Sequence, residues 1–173
     1  MGRSKYGSGY QYIPLKKSVL KLRCDLRHSY NRYLSDYDGG KMDGFNSEGG
    51  SGYCPGKETA PYQYVNPARI KAYWNIAQTY VLADHLFQTQ GSGSFTAHQD
   101  LIAGATIIDK AKTTSIVENP DRSPWGCDAP KKTVTSLLQY VSGELIFEYH
   151  KGPFPCLKYE TLRDLLDAQE VSW

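Results

Sequence analysis

Apolar side chains recur with helical spacing in the segment that follows Asn66. Ile70, Tyr73, Trp74 and Ala77 stand at i, i+3, i+4 and i+7, the spacing that places side chains on one face of an α-helix. Asn66 is a favourable N-cap, and the proline after it suits the first helical position, where its missing N–H would be unpaired anyway. The pattern predicts a helix whose apolar stripe is buried against a sheet or another helix.

Short runs of apolar, aromatic and β-branched residues indicate strands. Thr79–Leu82 has the composition of a buried strand in an α/β sheet. Leu145–Tyr149 fits another strand, and Thr133–Val141 fits either a short helix or a strand. Because helical and strand patterns alternate along the chain, the sequence predicts an α/β fold.

A glycine-rich turn lies in the middle of the segment from Gln88 to Gly104. The segment predicts a strand, a turn through Gly91 and Gly93, and then a helix that begins near Ser94. Glycines in such a turn adopt backbone conformations that other residues avoid, and they let a ligand approach the main chain.

A last helix is predicted near the C-terminal end of the sequence. Leu162, Leu165 and Leu166 form an apolar stripe on a helix that starts near Tyr159. By contrast, residues 1–65 are rich in Gly, Tyr, Ser and Asp and show little periodicity. We therefore expect one domain over 1–173, with a long irregular region at 1–65 and an α/β portion at 66–173. The exception is a candidate strand at Lys16–Leu22.

Composition excludes several classes of function. The chain has 173 residues, 40% of them hydrophobic and 22% charged, which is typical of a globular domain. Twenty Lys and Arg against 18 Asp and Glu are scattered, so no nucleic-acid surface is indicated. No apolar run approaches the ~20 residues of a transmembrane helix, and the N-terminal segment lacks the apolar core of a signal peptide. The oligomeric state is not indicated.

Ser94 and His98 are the candidate reactive residues. Ser94 is expected at or near the N-cap of its helix, where free N–H groups and the positive end of the helix dipole favour an anion such as phosphate. His98 follows four residues later, so it shares the helix face of Ser94 and can reach the same bound group. The alternative is that Ser94 only caps the helix and His98 is a solvated or hydrogen-bonded side chain.

The segment Asp36–Phe45 resembles a calcium loop because two acidic residues alternate before a glycine. The segment does not match an EF-hand loop. Gly40 stands at the fifth position, where a ligand is expected, Lys41 at the sixth, where the glycine is invariant, and Ser47 at the twelfth, where a bidentate Glu is required. A turn in which the Asp side chains bond nearby amides is the favoured interpretation.

Four cysteines permit three disulfide pairings, and the sequence alone does not choose among them. Cys127 and Cys156 both lie in loops rich in Pro and Gly, which gain stability from a covalent link. Cys24 and Cys54 would then form the other pair.

Four stretches of the sequence resemble the phosphoesterase family that groups non-specific phospholipases C with acid phosphatases, a branch of the alkaline phosphatase superfamily. The resemblance covers about residues 36 to 173. The stretches are Asp36–Phe45; Tyr80–Asp84 with Phe87 and Gln88; Gly93–Gly104; and Trp125–Pro130 with Pro153–Cys156 and Tyr159–Leu166.

The resemblance implies a three-layer α/β/α fold and metal-assisted hydrolysis of a phosphoester or phospholipid. In the family a hydroxyl residue in the loop before a helix is the nucleophile and lies against the metal centre, and Ser94 occupies the matching position. Gly93, Ser94 and His98 would then bind the substrate, with His98 contacting the phosphate or the leaving group. The resemblance also favours a Cys127–Cys156 disulfide and a secreted or periplasmic location.

The sequence departs from the family pattern at several places. Thr96 stands where members usually have Pro, which is expected to loosen the loop. The family's Glu-Asn-Arg-Ser-Phe-Asp motif and its later Asp-Glu-His-Gly-Gly motif, which supply metal ligands, have no counterpart in these 173 residues. Around His28, Arg27 and Tyr30 replace the family's Asp and second His.

These departures leave two functional hypotheses open. The chain is expected to be an internal portion of a phosphoesterase, with a nucleophile position but without a complete set of ligands for the divalent metal that the family implies. The first hypothesis is a hydrolase of phosphoester bonds. The second is a truncated, inactive relative that acts as a binding or structural protein.

Overall fold

The computed structural model describes residues 1–21, 25–47, 50–51, 59–89, 91 and 93–173. The chain divides into two compact units, Met1–Phe87 and Gln88–Trp173. Each unit combines short helices with small sheets, so the coarse α/β class is confirmed. The three-layer α/β/α arrangement is not confirmed, because the sheets in the described part of the chain have two or three strands.

The first unit contains short elements in a region that sequence periodicity indicated as irregular. The described residues of this unit form three strand pairs: β1 with β2 in an antiparallel hairpin, β3 with β6 in parallel, and β4 with β5 in antiparallel. The candidate strand at Lys16–Leu22 is therefore confirmed over its first three residues. In chain order the elements are β1 (Gly2–Tyr6), β2 (Gly9–Ile13), β3 (Lys16–Ser18), β4 (Asp25–Leu26), α1 (Tyr30–Tyr37), β5 (Gly50–Ser51), β6 (Gln63–Val65) and α2 (Lys71–Thr79).

The helix predicted after Asn66 is present. The Asn66 side chain accepts a hydrogen bond from the Ala68 N–H at 3.2 Å, and a 3-10 helix over Pro67–Ile70 leads directly into α2. The predicted burial of its stripe is wrong, because Tyr73 is 71% exposed and Trp74 is 42% exposed. Periodicity indicates which face of a helix is apolar, but it does not supply the surface that covers this face.

The strand predicted at Thr79–Leu82 is also wrong. The helix α2 continues through Thr79, and the Tyr80 N–H still bonds the Ile76 carbonyl at 2.9 Å. Residues 81–83 have no regular structure, and Val81 is exposed. An apolar run becomes a strand only where a neighbouring strand pairs with its backbone, and none of the described residues does so here.

The second unit is built on an antiparallel sheet of three strands in the order β7-β8-β9. Its buried apolar residues include Ile116, Val117, Leu137 and Phe95. The segment Thr133–Val141, which fitted either a short helix or a strand, forms β8 over its last six residues, and the strand predicted at Leu145–Tyr149 is confirmed as β9. Strand β7 was not predicted. The elements are α3 (Ser94–Ala103), β7 (Thr114–Val117), β8 (Ser136–Val141), β9 (Glu144–Glu148) and α4 (Leu162–Ala168).

A disulfide links Cys127 and Cys156, whose Cα atoms are 4.3 Å apart. This pairing was favoured by the family resemblance and is confirmed. The second pair, Cys24 and Cys54, lies outside the described residues. No helix in the described ranges is long and apolar enough to cross a membrane.

Candidate functional site

Ser94 is the first residue of α3, and its side chain is exposed. The residue before it, Gly93, is the N-cap, with extended backbone at φ −70° and ψ 169°. The helix ends at Gly104, whose φ of 73° is the left-handed conformation that glycine adopts most easily. The strand expected before the turn is absent over residues 86–89. The structure therefore places Ser94 at a helix N-terminus, as the sequence indicated.

Asn119 caps this helix from another part of the chain. Because Gly93 has no side chain, the N-cap residue itself cannot accept a bond from the first turn. Instead the Asn119 Oδ1 atom accepts the Phe95 N–H at 2.9 Å. A Cβ atom on Gly93 would lie only 2.7 Å from the same Oδ1 atom. Sequence reasoning missed Asn119, since nothing in a polar loop 24 residues beyond Phe95 indicates this contact.

Two buried residues of α3 hold its first turn in place. Thr96 is fully buried, and its hydroxyl donates to the Gly93 carbonyl at 3.0 Å. Phe95 is buried with its ring edge-on to Trp125, at 6.3 Å between centroids. The departure at Thr96, which was expected to loosen the loop, instead provides a hydrogen bond across it.

His98 lies one turn along α3 on the same side as Ser94. Its Nδ1 atom is 2.6 Å from the Ser94 backbone carbonyl oxygen. A carbonyl oxygen only accepts, so Nδ1 carries the proton in this contact. In the neutral ring Nε2 then holds the free lone pair, and in the protonated ring Nε2 becomes a donor. Because His98 is exposed, its Nε2 atom is the ring nitrogen that can contact a bound group.

The first turn of α3 offers little amide surface to an anion. The N–H groups of Ser94, Phe95 and Thr96 fall outside the regular hydrogen-bond ladder of a helix. The Phe95 N–H is already bonded to Asn119, and Thr96 is fully buried. The Ser94 N–H is the remaining amide that an anion beside the Ser94 side chain could use.

Asp100 places a negative charge farther along α3. It accepts a hydrogen bond from the Thr89 hydroxyl. Burial raises the pKa of Tyr159, and the Asp100 carboxylate raises it further, so both effects favour the neutral phenol.

The calcium interpretation of the Asp36–Phe45 segment is not supported. Hydrogen bonds from Lys5 lower the pKa of Asp38, with Lys41 adding to this effect. The Lys5 and Lys41 ammonium nitrogens lie 3.2 and 3.3 Å from Asp38 Oδ2. Asp43 is 2% exposed and faces Arg3 at 3.8 Å. These carboxylates are neutralised by basic side chains rather than gathered around a cation.

The residues that the structure describes do not fit a resident metal ion. Nowhere among them do three or more His, Cys, Asp or Glu side chains come together in a way that could hold a metal. His28 pairs with Asp25 at 3.1 Å and His85 with Asp84 at 2.9 Å, but two ligands do not make a stable site. The ligands expected from the family are therefore not assembled in this part of the chain.

Comparison with protein families gives one match. A model described as the Phosphoesterase family matches residues 10–173, which includes α3 and the Asn119 loop. No curated protein and no solved structure matches the chain.

Proposed function

Because the chain belongs to the Phosphoesterase family, we propose that it acts in phosphoester hydrolysis with Ser94 as the nucleophile. The observation that supports this assignment is the position of Ser94. Its side chain is exposed at the first residue of a helix whose turn is fixed by Thr96 and Asn119. A nucleophile must be exposed to reach substrate and must be held in one place to attack it.

In the proposed reaction the Ser94 hydroxyl gives up its proton to water and its oxygen forms a bond to phosphorus, while the bond from phosphorus to the leaving oxygen breaks and the leaving oxygen takes up a proton. Water then attacks the phosphorus of the Ser94 intermediate, the bond from phosphorus to the Ser94 oxygen breaks, the phosphate is released and the proton from water restores the hydroxyl. The Ser94 N–H and the positive end of the α3 dipole lie beside the phosphate oxygens in this arrangement. They provide part of the charge stabilisation that phosphoryl transfer requires.

His98 is proposed to contact the phosphate or the leaving group through Nε2. The bond from Nδ1 to the Ser94 carbonyl fixes the orientation of the ring. A protonated ring would donate to an anionic oxygen, and a neutral ring would accept a proton. Gly93 belongs to the proposed substrate-binding turn as the N-cap residue directly before Ser94.

Members of the family generally use divalent metals, which neutralise phosphate oxygens and lower the pKa of the attacking hydroxyl. Since the described residues do not assemble such a site, we expect the chain by itself to turn over substrate slowly. A missing cation costs several kcal/mol of transition-state stabilisation, which is about a thousandfold in rate.

The proposed substrates are phosphomonoesters, as for acid phosphatases, or phospholipid head groups, as for phospholipases C. Both present a phosphate that Ser94 could attack, so the site geometry does not separate them. The Cys127–Cys156 disulfide supports a secreted or periplasmic location, because such bonds persist in oxidising compartments.

A second candidate function is phosphate binding without turnover, as in an inactive relative. The observation that favours it is the lack of a metal-ligand cluster among the described residues. Under this alternative Ser94 and His98 would still contact phosphate, but no bond would be broken.

Hydrolysis assays separate the two functions. The full chain, Ser94→Ala and the exposed control Ser172→Ala would be assayed with p-nitrophenyl phosphate and phosphatidylcholine, with and without added divalent metals. We expect slow hydrolysis that Ser94→Ala abolishes and Ser172→Ala leaves unchanged. Hydrolysis that survives Ser94→Ala removes Ser94 as nucleophile. Phosphate binding with no hydrolysis at all favours the second function.

A further inference from the structure

The loop that presents Asn119 is itself anchored on both sides. Glu118 is buried, and the Ser136 hydroxyl donates to its carboxylate at 3.3 Å. Two residues after Asn119, Asp121 bonds Val134 twice. The Asp121 N–H donates to the Val134 carbonyl at 3.1 Å, and the Val134 N–H donates to Asp121 Oδ1 at 2.8 Å. The carboxamide is therefore presented by a backbone fixed to the start of β8.

Glu118 has a φ of 65°, which is unusual for a residue other than glycine. Such a conformation costs energy and persists where surrounding contacts determine it. Here it occurs immediately after β7 and immediately before Asn119. The turn directs the chain out of the strand at the point where the Asn119 side chain reaches α3.

We propose that Asn119 is the positioning residue for Ser94. This inference rests on the proposed function, in which Ser94 is the nucleophile. Asn119 supplies the cap that Gly93 cannot supply. It bonds the residue after Ser94 and packs against the residue before it. Loss of the carboxamide frees the first turn of α3, so Ser94 no longer holds the orientation that contacts phosphate.

Amide hydrogen exchange of the full chain tests the cap directly at the Phe95 N–H. The comparison uses wild type, Asn119→Ala, Asn119→Asp and the control Asn75→Ala, which changes an exposed asparagine on α2. In Asn119→Ala we expect exchange about fivefold faster or more, since the side-chain cap is lost. Asn119→Asp retains an acceptor oxygen and should keep most of the protection, and Asn75→Ala should not differ from wild type.

Binding of inorganic phosphate gives a readout that a purely structural cap would not change. Titrations followed at the Ser94 amide by NMR should show about fivefold weaker binding in Asn119→Ala than in wild type or Asn75→Ala. Faster exchange together with weaker binding supports the positioning role. Faster exchange with unchanged phosphate affinity overturns it, because Asn119 would then only stabilise the helix.

Two further outcomes are decisive. If the Phe95 N–H exchanges in wild type as fast as an unprotected amide, the proposal is overturned without any variant, even if Asn119→Ala fails to fold. If wild type shows no response to phosphate at Ser94, the proposed function fails. Even without a phosphate response, faster exchange of the Phe95 N–H in Asn119→Ala would show that Asn119 caps the turn that contains Ser94.

Discussion

Gly93 is the residue that lets the two loops of the candidate site approach each other. Any larger side chain there would collide with the Asn119 carboxamide and its backbone nitrogen, which would lie 2.7 and 3.0 Å from a Cβ atom. Backbone strain is not the reason for a glycine here, because a φ of −70° is accessible to every residue. The reason is the close packing against Asn119. The sequence indicated Gly93 as part of a turn, but it does not indicate the distant neighbour, Asn119, that requires a glycine there.

Gly93→Ala should destabilise the protein by about 1 to 3 kcal/mol, the usual cost of overpacking. Urea unfolding measures the change. Gly9→Ala is the matched control, since the nearest atom to a Cβ there is 3.9 Å away and the backbone is not strained. Equal stability of the two variants would contradict the close packing of Gly93 on Asn119.

Helix boundaries were predictable where a capping signal stands in the sequence. Asn66 and the proline after it marked the start of the second helix, and the glycine-rich turn before Ser94 marked the start of α3. Strand β7 was not predictable, because its sequence Thr-Ser-Ile-Val follows a polar stretch and its pairing depends on β8. The Asn119 cap was missed for the same reason, since it joins two distant segments.

The helix α4 has a cap that depends on pH. The Thr161 hydroxyl and backbone N–H donate to Asp164 Oδ2 at 2.7 and 2.8 Å, and these bonds hold the pKa of Asp164 below its usual value. The carboxylate therefore stabilises the folded helix above the unfolded-state pKa of about 4, and this contribution is lost as pH falls through the lower folded-state pKa.

Amide exchange in the first turn of α4, corrected for the intrinsic effect of pH, should accelerate as pH falls below about 4. Asp164→Asn should weaken the cap at neutral pH and remove this pH dependence. The same profile in wild type and Asp164→Asn would show that the carboxylate does not cap the helix.

The disulfide between Cys127 and Cys156 closes a loop with a sequence separation of 29 residues. In the chain-entropy model a loop of this size stabilises the folded state by about 3 to 4 kcal/mol. The double variant Cys127→Ser, Cys156→Ser should lower the free energy of unfolding by roughly that amount in urea titrations. A difference under about 0.5 kcal/mol would contradict the expected contribution.

At the scale of the whole molecule, much apolar surface is exposed. The pattern around Ile70–Ala77 correctly indicated a helix, yet its large side chains and those of the following segment are not covered. Exposed members include Tyr73, Trp74, Ile76, Tyr80, Val81, Leu82, Leu86 and Phe87. The α/β class was predictable from alternating patterns, but the arrangement of layers was not, because it depends on which surfaces meet.

Tyr73→Ser distinguishes the observed exposure from the burial that the sequence predicted. With Tyr73 exposed, the substitution should change the free energy of unfolding by less than about 0.5 kcal/mol. The positive control is Ile116→Ala, which removes a fully buried side chain and should cost about 2 to 5 kcal/mol. A loss near the Ile116→Ala value for Tyr73→Ser would mean that this helix face is buried in solution.

If Ser94 attacks the phosphoester, mass spectrometry of the trapped protein should find the phosphate on this residue. The full chain would be incubated with p-nitrophenyl phosphate and divalent metals, quenched in acid, digested and searched for phosphoserine. We expect phosphate on Ser94, none on Ser172, and no phosphorylated peptide from Ser94→Ala. Phosphate on another residue, or turnover by Ser94→Ala at the wild-type rate, would contradict it.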